Sequence, residues 1–136
     1  MSHRIKSIAA LAVIVLCATA CSQSKGDFAF KGFQDDTFKR TAGAPEFPGN
    51  EEVRWIFLFK KKYNARDIGI VYLKKELVWV EVFTDTAKIT LASNIVYGTI
   101  KSLQPGEYRI VLTDLINNNE EIARKEFSIY EKEEDE

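Results

Sequence analysis

The 136-residue chain sets 19 Lys and Arg against 20 Asp and Glu, for a formal net charge of −1, and holds one histidine and two cysteines. A balance this even carries no electrostatic footprint for nucleic acid, which calls for clustered basic charge. The only histidine, His3, stands near the N-terminus. The rest of the chain therefore excludes Ser-His-Asp and Cys-His nucleophilic sites, imidazole-built zinc and copper centres, and a histidine pH switch.

Arg4 and Lys6 precede an apolar run from Ile8 that ends in the small residues Ala18-Thr19-Ala20, with Cys21 next. A basic head, an apolar stretch and a small-residue cut site are the parts of a secretory signal. The run falls short of the about 20 residues that a membrane span needs. Cleavage after Ala20 removes 1–20 and leaves 116 of the 136 residues, enough for one domain. It also removes two of the 19 basic residues, so the mature balance is 17 against 20, or −3. Cys21 is then the one remaining cysteine, which excludes an internal disulfide.

The residues up to Cys21 resemble the lipobox of bacterial lipoproteins. The resemblance implies a diacylglyceryl group on the Cys21 sulfur, cleavage before Cys21 and further acylation of the new amine. It implies a place in the bacterial cell envelope, and Ser22 after the cysteine implies the outer membrane in a Gram-negative host. The same Ala18-Thr19-Ala20 pattern suits an ordinary signal peptidase, so a plain secreted chain that begins at Cys21 is the alternative.

Residues 21–26 read as an acylated tether, with polar Ser22-Gln23-Ser24-Lys25-Gly26 after the cysteine. Asp27–Phe33 alternates Phe28 and Phe30 on one face and is expected as the first strand. Residues 34–52 carry Gly43, Pro45, Pro48 and Gly49 and read as a long surface loop, with a short edge segment near Phe47. Val53–Phe59 is apolar on nearly both faces, as a central strand should be. After a turn at Lys60–Asn64, Asp67–Lys74 is β-branched and aromatic enough for a strand. Leu77–Phe83 places Val78, Val80 and Val82 on one face and Trp79, Glu81 and Phe83 on the other. Ala87–Ala92 is expected as a separate strand, with a short helix as the alternative, and Ile95–Lys101 as another strand.

Leu103-Gln104-Pro105-Gly106 forms a turn, and strict alternation follows, with Tyr108, Ile110 and Leu112 inward and Arg109, Val111 and Thr113 outward. This stretch resembles the corner before the sixth strand of immunoglobulin-like and fibronectin type III-like sandwiches. The resemblance implies that Tyr108 is the corner tyrosine, bonding back across the turn. Leu115–Glu121 reads as a hairpin loop, Ala123–Tyr130 as the last strand, and 132–136 as an acidic, disordered tail. A helix from Asn119 competes with that last strand. The expected architecture is all-β: a single immunoglobulin-like antiparallel sandwich of seven or eight strands over residues 27–131.

The acid pairs Asp35-Asp36, Glu51-Glu52 and Glu120-Glu121 do not make a glycosidase site, since neighbours in a strand face opposite ways and loop pairs are solvated. Asn117-Asn118-Asn119-Glu120-Glu121 offers oxygens but lacks the spacing of a calcium loop. Lys60-Lys61-Lys62 and Lys74-Lys75 would form one basic patch only if the chain folds back between them. Trp79, Tyr97 and Tyr72 are the candidate ligand-binding rings, with Trp79 foremost because it shares a face with Glu81. No enzyme activity, cofactor or metal is expected. The expected function is a lipid-anchored, non-catalytic module that binds or assembles with an envelope protein partner; binding of carbohydrate or peptidoglycan through Trp79 is the alternative.

Overall fold

The structure, a computed structural model, describes residues 25–61, 64–90 and 94–132. Residues 1–24, with the expected signal segment and Cys21, residues 91–92 of the expected Ala87–Ala92 strand, and residues 133–136 lie outside the described residues. Eight strands run in order: β1 (Gly26–Lys31), β2 (Glu46–Pro48), β3 (Val53–Phe59), β4 (Arg66–Lys75), β5 (Trp79–Ile89), β6 (Ile95–Ile100), β7 (Gly106–Asp114) and β8 (Glu120–Tyr130). They form two sheets, ordered β1-β3-β6 and β2-β8-β7-β4-β5. All pairings are antiparallel except β2 with β8. The protein is an all-β sandwich.

Period-two patterning drives this arrangement. In β3, Val53, Trp55, Phe57 and Phe59 are buried while the residues between them are exposed or half-buried. In β7, Tyr108, Ile110, Leu112 and Asp114 are buried and the intervening side chains are half-exposed. Phe28 and Phe30 of β1 and Ile68, Ile70 and Tyr72 of β4 complete the inner faces. Trp55 is the largest fully buried side chain, and its indole N–H donates to the Tyr72 hydroxyl at 3.0 Å, which joins β3 of one sheet to β4 of the other. Gly98, opposite Trp55 on β6, makes room for the indole: a Cβ there would lie 2.5 Å from the ring.

The turn into β7 closes on itself. The Tyr108 hydroxyl donates to the Gln104 carbonyl at 2.5 Å, across the Pro105-Gly106 corner. At the far end of β7, Asp114 is buried and ion-paired with Arg66 at the start of β4. Its other oxygen accepts the Ile116 N–H at 3.1 Å. The hairpin loop then turns through Asn118 and Asn119, at φ 52° and 58°, a conformation that asparagine tolerates. Residues 120–130 continue as strand β8, so the helix alternative from Asn119 does not hold.

Two expectations need correction. Residues 84–89 are not separate from the preceding strand, because β5 runs unbroken from Trp79 to Ile89 along β4. Val71, Ile70 and Gly69 pair with Thr84, Asp85 and Thr86, and this ladder carries the strand through the polar residues that separate Phe83 from Ala87. The neat alternation of Leu77–Phe83 fails as well. A register shift falls between Tyr72 and Leu73, which pair with Phe83 and Glu81, so Val82 is the extra residue of a bulge. One extra residue moves everything beyond it to the other face. Phe83 therefore shares the inner face with Tyr72, ring centroids 5.7 Å apart, and not the face of Trp79 and Glu81. The condition for a basic patch is not met: Lys62 lies outside the described residues, and Lys60-Lys61 and Lys74-Lys75 lie at opposite ends of β4, about 30 Å of strand apart. They form no common patch. Lys74 and Lys75 instead pair with Glu76 and Glu107.

Candidate functional site

A sandwich that is not closed has edges, and an edge strand carries unpaired N–H and C=O groups that can template another strand. Three of the four edges here are short or covered. The β1 edge is bridged by Lys39, whose backbone exchanges hydrogen bonds with Phe30 at 2.8 and 2.9 Å. The β2 edge is three residues long and contains Pro48, and proline cannot donate. The β6 edge is six residues long and interrupted by Gly98. The fourth edge, β5, is an 11-residue strand with no proline, about 34 Å long.

The first half of the β5 edge exposes apolar side chains, whereas Thr84, Asp85, Thr86 and Lys88 make its second half polar. Val80, Val82 and Phe83 are 43%, 46% and 56% exposed, and the turn that leads into the strand holds out Leu77 and Val78. The bulge at Val82 twists this edge locally, between the exposed charges of Glu81 and Asp85. Beside it, Tyr72, Phe83, Thr99, Ile100, Lys101 and Leu103 line a mainly apolar groove of 250 Å³ between β5 and β6. Burial raises the Tyr72 phenol above its usual pKa, and the nearby Asp85 carboxylate adds to the effect while the Trp55 bond opposes it. Its hydroxyl therefore stays a neutral hydrogen-bonding group at the floor of the groove.

The rings singled out from the sequence do not converge. Trp79 lies on the outer face of the five-stranded sheet, half-buried, with the Arg109 guanidinium 4.1 Å from its ring centroid. Arg109 is held there by Glu126 at 2.6 Å. Tyr97 pairs with Ile56 on the outer face of the other sheet and is 73% exposed. Tyr72 lies between the sheets and is 4% exposed. These are three separate layers of the molecule. The acid pairs are likewise dispersed: Asp35 accepts the Gly32 N–H at 3.1 Å, Glu51 pairs with Lys132, Glu52 with Arg54, and Glu121 with Arg124. Among the described residues no group of three or more His, Cys, Asp or Glu side chains is placed to hold a metal.

Sequence reasoning found Phe83 and the valines of β5 but not their role. That role depends on β5 lying outermost, which is set by pairings between distant segments. Part of the signal was visible in the sequence: the chain has no proline from Val53 to Gln104 and Glu81 is the one charge between Leu77 and Phe83. No family model matches the chain, and a search of curated proteins finds no match.

Proposed function

We propose that this chain is a lipid-anchored bacterial envelope protein, held through Cys21, that acts as a non-catalytic binding and assembly module for a protein partner. The observation that carries the reading is the long, proline-free edge of β5, with Val80, Val82 and Phe83 exposed in its first half. A partner strand laid along it would gain main-chain hydrogen bonds, while its side chains pack on Val80, Val82 and Phe83 and into the adjoining groove. A photocrosslinker at Val82 in intact cells is expected to give a discrete adduct with one protein. The adduct should vanish when Val80 carries lysine, and a crosslinker at Glu107, on the outer sheet face, should not give it. Absence of any discrete adduct from the β5 positions would overturn the assembly role. Cys21→Ser is expected to abolish palmitate labelling and membrane fractionation, and a variant that still labels would refute the anchor.

Carbohydrate binding has less support. Arg109 already occupies one face of the Trp79 ring, and neither Tyr97 nor Tyr72 shares its surface. Trp79→Ala is expected to leave retention on peptidoglycan unchanged, and a loss of retention with the fold intact would reinstate the glycan reading.

A further inference from the structure

The end of the sandwich where β1 begins has a composition unlike the other surfaces. Gly26 is paired with Phe59 at the end of β3, and the Lys60 N–H donates to the Lys25 carbonyl at 3.0 Å. The entering chain and Lys60-Lys61 thus lie side by side. The β7–β8 hairpin reaches the same end, where the Leu115 N–H meets the Asp67 carbonyl at 3.4 Å. Lys25, Asn64 and Asn117 line one cavity of 330 Å³ there, which joins the three segments. At the tip of this hairpin Ile116 is 66% exposed and Leu115 41%. Lys25, Lys60 and Lys61 are exposed and make no ion pair among the described residues.

The acids at this end are engaged nearby. Asp114 is paired with Arg66, Asp27 with Arg40, Glu120 accepts from the Asn117 amide at 2.6 Å and Glu121 holds Arg124, while exposed Asp67 has Lys88 only as its register neighbour across the β4–β5 ladder. Free lysines therefore flank an exposed isoleucine, the pairing of charge and apolar tip that suits an anionic bilayer surface. The chain outside the described residues points the same way. The apolar run closes at Cys21, and four residue steps from Cys21 to Lys25 span at most about 14 Å.

We propose that this end of the sandwich is a bilayer-docking face: Leu115 and Ile116 enter the interfacial region while Lys25, Lys60 and Lys61 contact anionic headgroups. This rests on the reading that the N-terminal segment holds the chain at a membrane. Docking stands the domain upright on the bilayer and turns the β5 edge sideways, parallel to the surface normal and open to a partner. Each lysine at such a surface contributes roughly a fivefold factor to the docked population.

The test uses the full chain purified from membranes and reconstituted into vesicles, either phosphatidylcholine alone or phosphatidylcholine with phosphatidylglycerol. Acylated Cys21 offers no thiol, so a nitrobenzoxadiazole label reports one introduced cysteine, with the unsubstituted chain as the blank. Ile116→Cys is expected to give blue-shifted emission, quenched by brominated lipid, in the anionic vesicles. Val78→Cys, at the opposite end of the molecule, should read as aqueous. Adding Lys60→Glu and Lys61→Glu should abolish the shift while the protein still floats with the vesicles. A protein that floats with the Ile116 label as wet as the Val78 label overturns the docking face alone. A protein that does not float overturns the anchor and the docking face together.

Discussion

The indole N–H of Trp55 donates to the hydroxyl of Tyr72 at 3.0 Å, a side-chain hydrogen bond between buried residues that links the two sheets. Both partners are large and nearly inaccessible, so neither group has water as a substitute. Tyr72→Phe keeps the ring and leaves the indole N–H unpaired. The expected cost is about 1–3 kcal/mol, read as a lower urea midpoint at unchanged slope. The double variant with Trp55→Phe should cost less than the sum of the single ones, because the orphaned donor is then gone. A midpoint unchanged in Tyr72→Phe would show that the bond contributes nothing.

Gly98→Ala is expected to destabilise more than a surface substitution on an edge strand normally does. The added methyl would sit 2.5 to 2.8 Å from three atoms of the Trp55 indole, which is itself fixed on its other side by Phe28 and Tyr72. Overpacking of this kind costs about 1–3 kcal/mol. Pairing it with Trp55→Phe, which removes the clashing part of the ring, should recover part of the loss. Thermal melting of the three variants checks both statements.

Alkaline pH should unfold the domain through its tyrosines. Burial raises the phenols of Tyr72 and Tyr108 above their ordinary 10.0, and carboxylates of Asp85 and Glu76 respectively push in the same direction. In each case the neutral phenol is the form the fold favours. The associated stability is present below pH 10 and is lost as pH rises past that point toward the folded-state values. Urea midpoints measured from about pH 8 to about pH 11 are expected to fall at the top of this range. Tyr72→Phe should be less stable at pH 8 and lose less on going up.

Much of the fold was legible because its signals are local. Val53–Phe59 declared itself by composition, Phe47 by its place between two prolines, and β7 by strict alternation after Pro105-Gly106. What was not legible depends on partners far away in the chain. Thr84-Asp85-Thr86 reads as a break until β4 is laid beside it, and the bulge at Val82 exists only as a mismatch of two strands. The candidate site suffered most from this. Rings singled out because they lie in strands ended on three different layers, whereas the β5 edge and the Lys60–Ile116 end are each assembled by topology. Tyr108 is the exception, because its partner Gln104 is only four residues away.

The antiparallel register of β1 against β3 also has a mechanical meaning. The chain enters at Gly26, and six successive residue pairs, Gly26–Phe59 to Lys31–Arg54, lie in line behind it. A pull on Lys25 along the strand axis loads these pairs together, in shear, and cannot peel them one at a time. Tyr130 leaves β8 at the other end of the sandwich, where Pro48 and Gly49 meet it. A force transmitted between the two ends therefore runs lengthwise through both sheets, and the domain resists extension along that line.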